Sequence, residues 1–174
     1  MFFRLFILPL ILYSCKAQTI YPLGTADIVE TNYYVKDLNN DHDAIVGVWR
    51  WENGNSYFEI TLQEFEMSNY PSFSTEYYDS IFGKYIYVEN GLTIAEVQFI
   101  EGLPNAKLAL HFETPTEYKI VIDDVLSDIT KVGEFVITNT NTATFRLWNA
   151  EGVKLNESNG QDFALPTDLV LTKQ

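Results

Sequence analysis

Residues 45–63 read IVGVWRWENGNSYFEITLQ, and this stretch decides the fold class. Apolar residues recur at every second position on both sides of Asn53-Gly54. A period of two places those residues on one face of an extended strand. Asn-Gly accepts the positive φ angles of a tight two-residue hairpin turn. The stretch therefore predicts two antiparallel strands that share one apolar face.

The same alternation continues to the end of the chain and predicts further short strands. These are expected at 81–89, 92–99, 108–112, 118–122, 135–137, 145–147 and 169–171. Together with the first hairpin they make about nine strands, and no segment has a convincing helical period. Consecutive hairpins form an antiparallel meander, and a long meander protects its edges best by closing on itself. The sequence predicts an all-β domain over 45–174, an up-and-down barrel of about eight to nine strands.

Composition fits this interpretation and excludes one class of partner. The chain has 174 residues, which is enough for one domain, and contains 11 Tyr, 12 Phe and 3 Trp. Aromatic residues suit pleated, half-buried surfaces. The formal net charge is −13. Nucleic-acid binding requires a basic face for phosphate contacts, so we expect no nucleic-acid partner.

The first residues predict export. Residues 1–14 read MFFRLFILPLILYS, a start with one positive charge at Arg4 followed by an apolar run. This run is too short to cross about 30 Å of hydrocarbon as a helix. The combination is typical of a cleavable signal peptide.

The end of this leader predicts a lipid anchor. Residues 12–15, LYSC, resemble the bacterial lipobox, in which the cysteine thiol receives diacylglycerol and the new amino terminus is acylated. The anchor, with palmitate-type chains, is therefore expected on Cys15, the one cysteine of the chain. Residues 15–44 are then a lipidated N-terminus and an extended tether. The alternative is conventional cleavage after Ala17, which would release a soluble secreted protein.

Gly47-Val48-Trp49 resembles the G-x-W signature of lipocalins and related calycin barrels. The resemblance implies an indole that plugs the closed end of the barrel and a basic residue that packs over it. Arg146, near the end of the chain, is the residue expected to take this part through a cation–π contact.

A wider pattern of short segments extends the resemblance over most of the chain. The segments are SCKAQ at 14–18, YVKDLNN at 34–40, Gly47-x-Trp49 and DSIFGKY at 79–85. In this order they look like a family of uncharacterised short lipoproteins from Bacteroidetes, flavobacteria in particular. The resemblance implies export and a small barrel but no activity, and it departs at 41–43, where a more apolar lead-in is expected. We expect the cell envelope, at the periplasmic face of the outer membrane.

Residues 37–43 alternate acids and amides as a calcium loop does. The loop formula requires Gly at its sixth position and Glu at its twelfth, where this chain has His42 and Val48. A solvated turn is therefore expected. The histidines, His42 and His111, are too few for a three-His zinc site, and both are expected at the surface or the rim.

The remaining polar motifs predict no chemistry. Asp123-Asp124 is expected to be a pair of solvated loop acids, since neighbours on a strand point to opposite faces. Asp79-Ser80-Ile81 fits both an O-glycosylation site of exported Bacteroidetes proteins and the start of a strand, which we favour. No nucleophile elbow or phosphate-binding loop occurs in the sequence. We predict no catalytic residue, no metal and no cofactor.

The aromatic residues are the most suggestive feature. An eight-stranded barrel either fills with side chains or holds one small ligand, and so many large residues favour filling. If the lumen is open, the expected ligand-binding residues are Trp49, Tyr85, Tyr87, Phe112 and Arg146. The sequence predicts a lipid-anchored, non-enzymatic barrel, which binds a small apolar ligand if its lumen is open. The alternative is an interaction module of a cell-envelope complex with a filled core.

Overall fold

A computed structural model describes residues 18–69, 75–99, 107–149 and 165–174. The predicted signal peptide, Cys15 and Ala17 lie outside the described residues. Within the described ranges, no helix has the length and apolar character needed to cross a bilayer.

The described residues form one sheet of 11 strands. In chain order these are β1 (Thr19–Pro22), β2 (Tyr33–Lys36), β3 (Gly47–Asn53), β4 (Ser56–Ser68), β5 (Tyr77–Glu89), β6 (Leu92–Val97), β7 (Leu108–Thr114), β8 (Glu117–Asp124), β9 (Ile129–Asn139), β10 (Thr142–Asn149) and β11 (Asp168–Lys173). A short 3-10 turn, η1 (Asp41–Ala44), leads into β3.

Eight antiparallel strands, β3 to β5 and β7 to β11, close into a barrel. Strand β11 pairs with β3 through Thr172 opposite Arg50. The other seam joins β5 to β7, with Ile81 opposite Leu110. Neighbours in the barrel are neighbours in sequence apart from these seams, so the prediction of an all-β, up-and-down barrel is confirmed.

Three strands lie outside the closed barrel. β6 returns along the second half of β5, and β2 runs parallel to its first residues, Tyr77 and Tyr78. β1 pairs in parallel with β2. Residues 33–44, part of the predicted tether, therefore pack on the barrel domain, with Tyr34 and Val35 buried.

The first hairpin turn lies one residue later than predicted. Asn53 pairs with Ser56, so the loop is Gly54-Asn55, with Gly54 at φ 61°. The facing core residues Trp51 and Phe58 set this register, and one glycine at the first loop position is enough for a tight turn. The second hairpin has Asn90-Gly91 as its loop, as predicted, with φ angles of 51° and 81°.

Side chains fill the barrel interior. Six aromatic residues there are almost completely buried: Trp49, Phe58, Tyr85, Tyr118, Phe135 and Phe145. The Trp49 and Phe135 rings lie 5.1 Å apart in an edge-to-face contact, and Phe58 and Phe145 are separated by 5.2 Å. Such contacts stabilise a core beyond the burial of area alone. This filled core agrees with the prediction made from the large number of aromatic residues in the sequence.

Candidate functional site

The structure does not bring the predicted ligand-binding residues together. Trp49 and Tyr85 belong to the core, and the Tyr85 hydroxyl donates to the Asp123 carbonyl at 2.7 Å. Burial raises the pKa of Tyr85 to about 12, so it remains a donor. Tyr87 is half-buried beside Phe58, whereas Phe112 lines a cleft outside the barrel.

Arg146 does not pack over Trp49, and this prediction is wrong. Its guanidinium group lies on the outer face beside Glu134, at 3.4 Å, and Asp168, at 3.5 Å. Because its neighbours on β10 point inward, alternation turns Arg146 outward. The cation near the indole is Lys173, whose Nζ lies 5.4 Å from the Trp49 ring and donates to the Ala44 carbonyl at 2.9 Å.

A buried carboxylate, Asp79, fastens β2 to the barrel. It accepts hydrogen bonds from the Tyr34 hydroxyl, from the Asp37 N–H at 2.9 Å and from the Met67 N–H at 3.1 Å. Burial and the Asp79 charge raise the pKa of Tyr34, which therefore remains a neutral donor. Asp79-Ser80-Ile81 lies within β5, which agrees with the strand interpretation.

A second buried carboxylate, Asp37, organises the segment after β2. Its oxygens accept the N–H groups of Asn39 at 3.3 Å, Asp41 at 2.9 Å and His42 at 2.8 Å. Burial alone would raise the pKa of Asp37, but these backbone donors and the nearby His42 hold it below its ordinary value. The alternating acids therefore form a backbone-capping turn.

His42 is buried, with 2% of its surface exposed, so the prediction of a surface histidine is wrong for this residue. The capped turn presses its ring against Phe112, at 6.2 Å, and Tyr118, at 6.1 Å. Its Nδ1 atom lies 2.8 Å from Oε1 of Glu64 and 3.8 Å from Oδ2 of Asp37. We call Asp37, His42 and Glu64 the His42 cluster. His111 is exposed, as predicted.

An open cleft of about 540 Å³ adjoins the His42 cluster. Leu23, Ile28 and Val35 come from the N-terminal strands and the loop between them, and Leu110 and Phe112 come from β7. His42, Asp79 and Ser80 contribute polar groups to the same cleft. Asp27, His111 and the rings of Tyr33 and Tyr78 also line it, so the N-terminal segment and the barrel border an open space whose lining is part apolar and part polar.

Asp123-Asp124 is not the pair of solvated acids that was expected. Asp124 is fully buried, and its Oδ1 accepts the N–H groups of Leu126 at 3.1 Å and Ser127 at 3.3 Å. Asp123 accepts from the Thr130 hydroxyl at 2.8 Å. The two side chains leave opposite faces of β8, as alternation requires, and Asp124 caps the loop to β9.

Comparison with known proteins places the chain in a family. The model of a family of unknown function, DUF6705, matches residues 2–174. The chain belongs to this family. No curated protein and no solved structure matches it significantly. The DUF6705 match covers the barrel, the His42 cluster and the cleft. Because the function of the family is unknown, the match assigns no activity to any of them.

Acid should destabilise this DUF6705 domain through Asp37. Because the pKa of the folded state is lowered, ionised Asp37 stabilises the fold above its unfolded pKa of about 3.9, and this contribution is lost as the pH falls through the folded pKa. We expect Asp37→Asn to lower the free energy of unfolding at pH 7 by about 1–3 kcal/mol. The free energy of unfolding of this variant should also fall less steeply as the pH is lowered. Urea unfolding across pH 2–7 measures both. Asp27→Asn, at an exposed acid, is the control; an equal effect there would contradict the prediction.

Proposed function

We propose that this DUF6705 protein is an exported, non-enzymatic lipoprotein of the cell envelope whose barrel domain binds a small ligand with an apolar body. The observation that carries the proposal is the cleft of about 540 Å³ beside a barrel with a filled core. The ligand site is therefore the space between the N-terminal strands and the barrel, and not the lumen that the lipocalin resemblance suggested.

The size and lining of the cleft support this site. Pockets that hold small molecules have about 300–1,000 Å³, apolar walls and a few placed polar groups. Val35, Leu110 and Phe112 supply apolar wall, while Ser80 and His42 supply polar groups. A molecule such as a fatty acid or another amphipathic compound fits this chemistry.

The lipid anchor rests on the leader and on Cys15. Strand β1 begins at Thr19, so an acylated Cys15 would hold the start of β1 within about 15 Å of the bilayer surface. Two or three acyl chains give firm anchoring. We place the protein at the periplasmic face of the outer membrane. Metabolic labelling with an alkyne fatty acid tests the anchor, since Cys15→Ala should lose all label and a labelled variant would contradict it.

Displacement of a fluorescent fatty acid tests the cleft. Ser80 is half-buried at the cleft, so Ser80→Phe should fill part of it and weaken saturable binding at least about tenfold. Thr93→Phe, on the exposed part of β6, is the matched control and should bind as the wild type does. Unchanged binding by Ser80→Phe would exclude the cleft as the site.

A second candidate is an interaction module of an envelope complex. It is favoured by large apolar side chains that remain exposed on the outside: Leu92 at 69%, Trp148 at 42% and Val170 at 57%. Trp148 and Val170 lie on neighbouring strands, β10 and β11. Exposed apolar surface of this kind marks protein contacts when it is contiguous. Absence of saturable fatty-acid binding to the wild type would favour this candidate.

A further inference from the structure

The geometry points to a binding site for a divalent transition-metal ion in the His42 cluster, formed by Asp37, His42 and Glu64. Each of these residues offers one ligand atom, and the three atoms lie within 4.8 Å of one another. Metal binding there requires neither the lipid anchor nor a cleft ligand, and the site shares His42 with the cleft lining.

The distances suit one ion between the three side chains. Zinc binds nitrogen and oxygen ligands at about 2.0–2.2 Å, which sets ligand atoms about 3–4 Å apart. Nδ1 of His42 lies 2.8 Å from Oε1 of Glu64 and 3.8 Å from Oδ2 of Asp37. The remaining separation, between Asp37 and Glu64, is at most 4.8 Å, and it joins a fixed carboxylate to a half-buried one at the edge of the cluster.

Two of the ligands are held in place before any ion arrives. Backbone N–H groups fix both oxygens of Asp37, and Oδ2, which accepts the His42 N–H, keeps a lone pair for a further partner. The rings of Phe112 and Tyr118 hold the His42 imidazole. Positioning of first ligands by such surrounding contacts is usual for metal sites.

The charge balance of the region favours a cation. Asp37 and Asp79 are both buried carboxylates, and the Asp37 N–H donates to Asp79, which places them close together. Glu64 adds a third carboxylate at the edge of the same region. Buried negative charges are costly unless they are paired or bind a metal. A divalent ion would offset this charge better than the single imidazole.

The ligand set selects the kind of ion. Calcium takes six to eight oxygen ligands, whereas imidazole suits zinc and other first-row transition metals. One nitrogen and two carboxylates leave at least one position of a zinc ion open, as in sites with three protein ligands. Because His42 also lines the cleft, that open position is reached from the cleft.

Isothermal titration calorimetry tests the site on the processed, EDTA-treated protein in mild detergent, with ZnCl₂, MnCl₂ and CaCl₂ as probes. We expect one zinc ion per chain, binding at least about tenfold tighter than calcium. His42→Ala and Glu64→Gln should each weaken zinc binding at least about tenfold. Glu52→Gln, at an exposed carboxylate on β3, is the matched control and should bind zinc as the wild type does.

Glu64→Gln keeps the size and shape of a half-buried side chain, so this variant should fold. Its zinc affinity therefore tests the His42 cluster even if His42→Ala does not fold. Zinc should also raise the unfolding temperature of the wild type and not that of Glu64→Gln. The proposal would be overturned by any one of four results: no zinc binding, tighter binding of calcium, unchanged zinc affinity in Glu64→Gln, or loss of zinc binding in Glu52→Gln.

Discussion

Gly133→Ala should prevent stable folding of the barrel, at a cost of more than about 4 kcal/mol in the free energy of unfolding. A Cβ atom at position 133 would lie 2.0 Å from the carbonyl oxygen of Arg146 and 2.8 Å from Cδ2 of Leu147. The first contact is with backbone, which cannot rotate away. Gly133 is paired on both sides, with Ile120 on β8 and Leu147 on β10, so the strand has no free direction in which to shift.

Gly91→Ala is the matched control for this prediction. A Cβ atom there would meet nothing within 4 Å, but Gly91 has φ 81°, which costs an L-residue about 1–2 kcal/mol. Urea unfolding followed by far-ultraviolet circular dichroism compares the two variants. If Gly133→Ala were the milder substitution, the close approach of β9 to β10 would not hold in the protein.

The barrel could be predicted because the burial of its strands follows a period of two. Phe58, Ile60 and Leu62 are buried and alternate with more exposed residues, and the later strands repeat this pattern. The same reasoning would have turned Arg146 away from the core, since Phe145 and Leu147 point inward. The resemblance to lipocalins implied instead that Arg146 packs over Trp49, and the alternation of the strand is the better guide to its orientation.

The His42 cluster could not be predicted in the same way. Glu64 meets His42 only because η1 folds back on β4, and no local pattern encodes that contact, whereas Asp37 meets His42 within the capped turn. Two histidines exclude a three-His zinc site, but their number says nothing about carboxylate ligands from distant strands. The alternating acids before β3 predict a turn, and the sequence does not show that Asp37 is buried in it.

The burial of Asp79 was also beyond the reach of the sequence. An aspartate among strand residues is usually exposed, and its partners, Tyr34 and the N–H groups of Asp37 and Met67, come from separate segments. The N-terminal segment belongs to the domain because this carboxylate needs those donors. A polar residue on a predicted strand can therefore mark an attachment point for another segment.

Trp49→Ala should cost about 3–5 kcal/mol in the free energy of unfolding, the range for removal of a large aromatic from a core. The indole has no exposed surface, meets the Phe135 ring edge to face at 5.1 Å and lies under Lys173. Its Nε1 donates to the Ile45 carbonyl at 2.7 Å, so truncation also removes the partner of a buried acceptor. Trp49→Phe should cost less, since most of the ring volume remains.

Trp148→Ala tests whether the cost of removing a tryptophan depends on its burial or only on its residue type. Trp148 is 42% exposed on β10, so its loss should change the free energy of unfolding by less than about 1 kcal/mol. Far-ultraviolet circular dichroism in urea suits all three variants because it does not depend on tryptophan fluorescence. Equal costs for Trp49→Ala and Trp148→Ala would mean that the indole of the G-x-W segment does not plug the barrel. A large cost for Trp49→Ala alone would tie that segment to core packing, since Trp49 and Phe135 meet edge to face inside the barrel.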